Sequence, residues 1–196
     1  MLDSTPAQAA AALWVLWLIS WGIASVWSSR TVKRAPPLQQ LPDRLVTVSG
    51  VVLLFGQPRG YSVAATRLWH LEVGADWVLT LVVASGFLFA WWARLHLGRL
   101  WSGTVTQKQD HRIVDDGPYA IVRHPIYTGL VLSAFATAAL EATARALAGA
   151  ALVWLGFFLK ARLEERFLRR FLRADLGAAY DEYRRRVPML IPLARF

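Results

Sequence analysis

The sequence contains no cysteine and few acidic residues, and these shortages narrow the range of functions. Without cysteine there is no disulfide, no thiolate metal ligand and no cysteine nucleophile. The histidines include no HxxxH pair, and His111 and His124 are thirteen residues apart, so a metal site is not expected. The glycines form no phosphate-binding pattern, and the absence of a GxSxG motif leaves serine-hydrolase chemistry without support.

The residues that are present are mostly apolar and indicate a membrane protein. Of the 196 residues, 56% are hydrophobic and 10 are tryptophan, whereas soluble domains are about 45–50% apolar. The net charge of +9 would suit nucleic acid binding on a soluble face, but the lysines and arginines flank the apolar runs instead. Membrane lipids, and not nucleic acid, are therefore the expected partners.

The apolar stretches predict five transmembrane helices. A bilayer core of about 30 Å requires roughly 20 helical residues, and Ala9–Trp27 and Trp77–Leu97 meet this length. The stretch Ile126–Phe158 is too long for one span, and its polar break at Glu141–Arg145 predicts a hairpin of two helices. The short stretch Leu45–Phe55 is either a span that begins a few residues earlier or a re-entrant segment.

The distribution of positive charge predicts the orientation of these spans. With five spans and the N-terminus outside, nineteen of the 22 lysines and arginines fall on the inner side. We therefore expect an all-α, multi-pass protein of a bacterial inner membrane with a cytosolic C-terminal helical segment. Residues 1–97 would form N-terminal transmembrane helices, and residues 98–196 the functional core of the same membrane-embedded domain.

The predicted inner segment Gly98–Gly129 is dense in polar and aromatic residues. Asp115–Pro118 indicates a turn, and Pro125 suits the first turn of a helix, where its missing N–H costs nothing. His124 would then occupy the N-cap, and the free N–H groups beside Arg123 would suit an anionic ligand. A plain membrane-interface turn, in which arginine and tyrosine side chains reach the headgroups, explains the same residues equally well.

The second inner segment follows the last predicted span. Apolar residues spaced by four predict that this helix continues beyond the membrane, and these are Leu159, Leu163, Phe167 and Phe171. Lys160 and Glu164 are four residues apart, so they would form an intrahelical ion pair, or Glu164 and Glu165 would bind a cation. Tyr180 and Tyr183 are expected to share a face of the chain that follows.

Together the two inner segments resemble the isoprenylcysteine carboxyl methyltransferase family and its prokaryotic relatives. The matching residues are His111–Val114, Gly117–Tyr119, Arg123–Tyr127, Gly129, Glu164–Glu165, Gly177, Tyr180, Tyr183 and Pro192. The resemblance implies an integral membrane methyltransferase that uses S-adenosylmethionine and releases S-adenosylhomocysteine. It also implies that the cofactor enters from the cytosol and that a lipophilic small-molecule or lipid substrate enters laterally from the bilayer.

The same resemblance implies a set of site residues. It places at the cofactor His111, Arg112, Ile113, Val114, Tyr119, His124, Pro125, Ile126, Tyr127 and Glu164, to which Arg123 is added for its charge beside the helix start. The Glu164 carboxylate would face the ammonium and sulfonium charges, and a tyrosine ring would form a cation–π contact with the sulfonium.

The catalytic candidates are Lys160 and Glu165. Lys160 occupies the position at which protein-processing members carry an arginine that contacts the substrate carboxylate. Because lysine lacks the bidentate fork of a guanidinium group, the acceptor is left open as a lipophilic acid, amine, phenol or thiol.

Three alternatives to this function are consistent with the sequence. A phospholipid or amine N-methyltransferase would share the same cofactor site. A nicotinamide-dependent membrane reductase, or a non-enzymatic protein whose basic tail binds anionic lipid, would not use methyl transfer at all.

Overall fold

The computed structural model describes residues 5–28, 31–56, 66–104, 106–108, 113–171 and 174–194. The α-helices are α1 Thr5–Ala24, α2 Leu41–Phe55, α3 Val73–Leu97, α4 Pro125–Glu141, α5 Ala144–Phe171 and α6 Ala174–Arg186. Strands β1 Thr31–Arg34 and β2 Thr106–Lys108 form one short antiparallel pair. The predicted helical architecture is confirmed, and the strand pair is an addition that the sequence did not predict.

Helices α1 to α5 correspond to the five predicted spans. Three helical segments are long and apolar enough to cross a membrane, namely Thr5–Ala24, Val73–Leu100 and Ala144–Arg170. Helix α4 is apolar but shorter, at 17 residues. Helix α2 is a continuous helix of 15 residues, about 22 Å long at 1.5 Å per residue. That α2 spans the membrane fully stays a prediction.

The predicted break in the last apolar stretch is a tight hairpin. Helix α4 ends at Glu141, the next residue, Ala142, has a left-handed backbone with φ 53°, and α5 begins at Ala144. The hydroxyl of Thr143 accepts a hydrogen bond from the Ala146 N–H at 3.2 Å and so caps the new helix. The hairpin prediction is confirmed, and α5 then continues to Phe171 as its apolar spacing predicted.

Helices α1 and α3 run in the same direction, and α4 runs against α3. The Thr80 hydroxyl donates to the carbonyl of Pro6 at 3.1 Å near the starts of α1 and α3, and Trp91 Nε1 donates to Ser20 Oγ at 3.2 Å near their ends. Across α3 and α4 the order reverses, because Gly129, early in α4, packs on Ala90, whereas Ser133, one turn later, donates to the carbonyl of Val83, earlier in α3, at 2.9 Å.

Helix α2 runs against α5, which completes an alternating bundle. Thr47 packs on Gly156, whereas Leu54, later in α2, packs on Gly149, earlier in α5. The C-termini of α1 and α3 and the N-termini of α2 and α4 therefore meet at one end of the bundle, together with Lys160 of α5. We call this end the site end. The described parts of the predicted inner segments lie there.

Glycine allows the closest helix contacts. A Cβ atom on Gly86 would lie 2.5 Å from the Gly129 carbonyl oxygen on α4, and one on Gly149 would lie 2.5 Å from the Leu54 nitrogen on α2. Helices in a bilayer associate through such small residues, because lipid tails compete with larger apolar side chains for contact. These contacts fix the register of each helix, that is, its position along the axis of its neighbour.

The tryptophans of α1 pack against α3. Trp14 and Trp17 contact Phe87, with ring centroids 4.8 and 5.6 Å apart, and Trp21 lies 5.5 Å from Trp91. These aromatic contacts join the first helix to the rest of the bundle.

Arg94 is a buried cation that holds the site end together. Its guanidinium group donates to the carbonyls of Ala24 and Trp27 after α1, at 2.8 and 2.7 Å, and to that of Gly98 after α3 at 2.6 Å. The ring of Trp101 covers it at 4.6 Å. The carbonyl groups at a helix C-terminus lack partners within the helix and favour a cation. This one arginine therefore caps the C-terminal ends of both α1 and α3.

Candidate active site

A cavity of about 180 Å³ opens at the site end. It lies between the end of α3, the chain before α4, the first turn of α4, the outer part of α5, and α6. The side chains around it are Leu97, Leu100, Trp101, Ser102, Thr104, Ile113, Val114, Tyr119, Arg123, His124, Ile126, Tyr127, Glu164, Leu168, Tyr180 and Tyr183. The lining thus combines charged and polar side chains with apolar and aromatic ones.

Most predicted cofactor residues meet at this cavity. Its lining includes the predicted residues Ile113, Val114, Tyr119, Arg123, His124, Ile126, Tyr127 and Glu164. Pro125 is buried behind them in the first turn of α4. His111 and Arg112 lie outside the described residues. The two catalytic candidates, Lys160 and Glu165, stand beside the cavity and contact the side chains that line it.

His124 occupies the predicted N-cap position of α4 and links both carboxylates of α5. Its ring is stacked on Tyr127, with centroids 5.5 Å apart and an interplanar angle of 4°. Nδ1 lies 3.6 Å from Glu164 Oε2, and Nε2 lies 3.3 Å from Glu165 Oε1. The backbone N–H of His124 is already bonded to the Met189 carbonyl at 3.1 Å, so this amide is not available to a ligand.

Glu164 faces the cavity and is held by Tyr127. The tyrosine hydroxyl donates to Glu164 Oε1 at 2.7 Å, and the other side of its ring stacks on Phe157 at 4.9 Å. A carboxylate fixed in this way leaves Oε2 toward His124 and the cavity. It presents a negative charge with a defined direction, which suits a cationic ligand group.

Lys160 does not form the intrahelical ion pair with Glu164 that its spacing allowed. Its ammonium group donates to the Gly103 carbonyl at 3.1 Å and lies 5.3 Å above the Tyr127 ring. It therefore attaches α5 to the loop that carries Trp101, Ser102 and Thr104 along the cavity wall.

Glu165 is the centre of a buried charge network. Its side chain is 5% exposed; Oε1 accepts from Arg123 Nε at 2.8 Å and Oε2 from Arg184 Nε at 3.1 Å. Arg123 also donates to the carbonyls of Arg184 and Val187. Because each of these groups sits on a different part of the chain, the network attaches α6 and the residues after it to the start of α4.

The residues after α6 complete this attachment through the backbone. The Arg123 N–H donates to the Pro188 carbonyl at 2.9 Å, and the Thr128 hydroxyl donates to the Leu190 carbonyl at 2.6 Å. Sequence analysis did not anticipate this docking, since the carbonyl acceptors carry no side-chain signal.

Three buried tyrosines form the wall next to α6. Tyr183 donates to the Tyr119 carbonyl at 2.7 Å, and Tyr180 and Tyr183 share one face, as predicted, with ring centroids 6.1 Å apart. Burial raises the pKa of all three phenols above the ordinary value. For Tyr180 the neighbouring Glu165 carboxylate raises the pKa further. The phenols therefore stay neutral hydrogen-bond donors.

A second, apolar cavity of about 370 Å³ lies deeper in the bundle, among α1, α2, α4 and α5. Its lining residues are Ala11, Trp14, Val15, Trp17, Leu18, Thr47, Val51, Leu54, Phe55, Leu130, Val153 and Phe157. Phe157 lines this cavity while its stacking partner Tyr127 lines the polar one. The aromatic pair thus separates a charged compartment from one suited to a hydrocarbon chain.

No group of three potential metal ligands occurs among the residues that the structure describes. Other lining residues escaped sequence analysis, chiefly Leu97, Leu100, Trp101 and Leu168. Leu100 and Trp101 lie within the polar segment Gly98–Gly129 that the sequence singled out, but neither residue type indicated a role at the site.

Comparison with known proteins decides the family. The sequence profile of the isoprenylcysteine carboxyl methyltransferase (ICMT) family matches residues 77–170. Protein-S-isoprenylcysteine O-methyltransferase B of Arabidopsis thaliana is 33% identical over 166 residues, which are 84% of this chain and 77% of that protein. The chain belongs to the isoprenylcysteine carboxyl methyltransferase family.

Two further relatives show how far the similarity reaches. The Protein-S-isoprenylcysteine O-methyltransferase of Schizosaccharomyces pombe is 36% identical over 104 residues, 52% of this chain and 42% of that protein. Methanethiol S-methyltransferase 2 of Bradyrhizobium diazoefficiens is 42% identical over 76 residues, 38% of this chain and 26% of that protein. The protein is thus an integral membrane methyltransferase, which sets aside the reductase and the non-enzymatic alternatives.

Proposed function

We propose that this isoprenylcysteine carboxyl methyltransferase family member transfers a methyl group from S-adenosylmethionine to a lipophilic acceptor at the cytosolic face of the membrane. The observation that carries the proposal is the pair of cavities, one charged and one apolar, which meet at the stacked rings of Tyr127 and Phe157. A charged methyl donor and a lipophilic acceptor need such different surroundings and a common boundary.

The residues of the polar cavity suit S-adenosylmethionine, which when bound supplies a methyl group on a sulfonium. The Glu164 carboxylate offers a countercharge to the ammonium or sulfonium, and His124, whose Nδ1 lies 3.6 Å from Glu164 Oε2, is the proposed ligand beside it. The rings of Tyr119 and Tyr127 provide aromatic faces for the adenine or the sulfonium. Ile113, Val114 and Ile126 would enclose the remaining apolar surface; His111 and Arg112 stay proposed ligands on the resemblance alone.

Arg123, Pro125 and Glu165 would hold the cofactor-binding side chains in position. The guanidinium group of Arg123 is committed to Glu165, and the Glu165 carboxylate is committed to two arginines. A carboxylate held by two cations is a weak base, so we assign Glu165 to holding His124 in place. Lys160 is the catalytic candidate at the boundary, since its ammonium group lies over the Tyr127 ring.

The proposed topology has five spans with the N-terminus outside and the C-terminus in the cytosol of a bacterial cell. The alternating directions of α1 to α5 support it, because they bring the predicted inner segments to one end. Orientation matters for function here, since S-adenosylmethionine is a cytosolic metabolite and the polar cavity opens at that end.

Two kinds of acceptor are suggested by the relatives, whose names specify isoprenylcysteine O-methylation and methanethiol S-methylation. We propose a lipophilic acceptor whose apolar part occupies the cavity lined by Trp14, Trp17 and Phe157. Phospholipid or amine N-methylation would use the same donor site. Incubating membranes with methyl-labelled cofactor and testing the product for base lability separates esters from thioethers and amines.

The decisive experiment is cofactor binding by calorimetry on purified protein in nanodiscs. Wild-type protein should bind S-adenosylmethionine, and Glu164→Ala or His124→Ala should weaken binding at least tenfold, because each removes a polar group of the cavity. Glu72→Ala, before α3 at the opposite end of the bundle, serves as the matched control and should bind as wild type does. Absence of binding by folded wild-type protein would refute the proposal.

A further inference from the structure

The short turn before α4 carries one of the buried tyrosines of the polar cavity. Gly117–Ala120 form a single 3₁₀ turn, which we call the tyrosine turn. Tyr119 within it is 7% exposed and lines the cavity. Its ring is one of the two aromatic faces proposed for the methyl donor, so the placement of this ring matters for donor binding.

The hydrogen bonds of Tyr119 itself do not fix its ring. The backbone carbonyl accepts from the Tyr183 hydroxyl at 2.7 Å, which holds the main chain of the turn. The phenol oxygen lies 3.4 Å from the Ala93 carbonyl oxygen, longer than the usual range of about 2.5–3.0 Å for a bond between a hydroxyl and an oxygen. Packing against the ring is therefore needed to orient it.

His96, in the last turn of α3, packs against this ring and against the start of the turn. Its imidazole is stacked on Tyr119, with ring centroids 6.4 Å apart and an interplanar angle of 28°. Nε2 lies 2.8 Å from Asp116 Oδ1, and because a carboxylate only accepts, the imidazole is the donor. One side chain thus contacts both the residue before the tyrosine turn and the tyrosine within it.

Gly117 lies between these two contacts and brings the main chain of the turn onto the imidazole. A Cβ atom at this position would lie 2.8 Å from His96 Cε1. The backbone here has φ 55°, a conformation that glycine adopts without strain. Any other residue would be strained in this conformation, and its side chain would push the imidazole away from the turn.

His96 is in a position to affect the cavity only through its neighbours. Tyr119 and Leu97 line the cavity, whereas His96 is not among the side chains that line it. Its side chain is 30% exposed, so removing it leaves no closed void inside the bundle. The contacts of His96 therefore serve the tyrosine turn more than the core.

We propose that His96 is a positioning residue of the donor site, which holds the tyrosine turn so that the Tyr119 ring stands at the cavity wall. The inference rests on the proposed function in taking the polar cavity as the S-adenosylmethionine site. Because His96 touches neither donor nor acceptor, its effect on donor binding should disappear when the Tyr119 ring is absent.

Calorimetry in nanodiscs tests this dependence on Tyr119. His96→Ala and Tyr119→Leu should each weaken binding of S-adenosylmethionine about fivefold, because each removes an oriented aromatic face. Adding His96→Ala to Tyr119→Leu should weaken binding less than about twofold further, since the two residues act as one unit. A general loosening of the bundle would instead weaken binding by the same factor in both backgrounds.

Two further variants separate the contacts of the imidazole and control for the removal of a histidine. His96→Phe keeps an aromatic ring against Tyr119 but loses the bond to Asp116, and its donor affinity should lie between those of wild type and His96→Ala. His70→Ala removes an exposed histidine before α3, at the opposite end of the bundle, and should bind the donor as wild type does.

Fluorine NMR on protein containing 3-fluorotyrosine follows the ring without any donor. The chain has five tyrosines, and Tyr119→Phe identifies the Tyr119 signal by its loss. In His96→Ala this signal should broaden, because the ring no longer has one fixed place. The signals of Tyr127 and Tyr180, which do not contact His96, should stay as sharp as in wild type.

The outcomes separate this inference from the proposed function. Donor affinity of His96→Ala within twofold of wild type, an equal loss in both backgrounds, or a sharp Tyr119 signal in His96→Ala would overturn it. If folded wild-type protein binds no S-adenosylmethionine, the proposed function fails, and the fluorine signal still decides whether His96 places the ring.

Discussion

Replacing Glu165 with glutamine should loosen the C-terminal part of the protein from α4. The substitution keeps the shape of the side chain but removes the only carboxylate that contacts both Arg123 and Arg184 among the described residues. The side chain of Arg123 is 8% exposed, so its charge would be left buried without a partner. The chain relieves this by releasing α6 and the segment after it, which lets water reach the guanidinium group.

The magnitude follows from the burial of the network. Removing one partner of a buried ion pair costs about 3–5 kcal/mol of stability. At the lower figure, the free energy of opening this segment falls by about 3 kcal/mol, which makes the open state roughly 150-fold more populated. The backbone hydrogen bonds lost on opening include those from the Arg123 and His124 N–H groups to Pro188 and Met189.

Hydrogen–deuterium exchange measured by mass spectrometry on protein in nanodiscs can follow those two amide groups. Glu165→Gln should accelerate their exchange by about two orders of magnitude, while the exchange of α3 and the middle of α5 stays as in wild type. Weaker binding of S-adenosylmethionine should accompany it, because His124 loses its fixed position.

Two variants control for charge removal in general. Asp115→Asn breaks the exposed pair with Arg186, 3.2 Å apart, which is worth less than about 1 kcal/mol, and should change exchange less than fivefold. Glu164→Gln alters the neighbouring carboxylate, which contacts α4 but not α6, and should leave α6 protected. If the Arg123 and His124 amides of Glu165→Gln exchange at rates within threefold of wild type, the expected release of α6 from α4 does not occur.

Two further predictions concern packing and pH. Gly129→Ala should destabilise the bundle by about 1–3 kcal/mol, because its Cβ would lie 3.0 Å from the Ala90 nitrogen and even closer to the Gly86 carbonyl. Thermal unfolding should show this loss of stability. The control Gly22→Ala, whose Cβ meets nothing within 4 Å, should unfold as wild type does. Stability should be full below about pH 10 and fall above it, since burial raises the pKa of Tyr180 and Tyr183 in the folded state alone. Tyrosinate absorbance in a pH titration checks this, and simple ionisation of both phenols near pH 10 without unfolding would be inconsistent with their burial.

Much of the helical framework could be predicted from the sequence, for a physical reason. Inside a bilayer each backbone polar group must be bonded within its own segment, so a long apolar run has little alternative to a helix. The hairpin at Glu141–Arg145 followed from polar residues that interrupt such a run. The helix start at Pro125 followed from the geometry of proline.

Part of the candidate site was also predictable, because it is built from compact motifs. Arg123, His124 and Tyr127 lie within one turn of each other at the start of α4, so local structure alone brings them together. The meeting of His124 and Tyr127 with Glu164, some forty residues later, was expected from the family resemblance and is observed as hydrogen-bond and ionic contacts.

The roles of individual charges could not be predicted, since they depend on which groups face one another. Arg94 was only one of the nineteen inner positive charges and Arg123 was expected beside the cofactor, yet Arg94 caps two helix ends inside the protein and Arg123 is committed to Glu165.

The sequence by itself determined the class of molecule, the order of its helices and the two segments that contribute most of the candidate site, because apolar length, proline and charge act locally along the chain. The tertiary structure decided which charges are paired, how the residues after α6 dock on α4, and where the polar and apolar cavities meet. Those features depend on helix register, and glycine contacts such as Gly86 with Gly129 set that register only once the helices have packed.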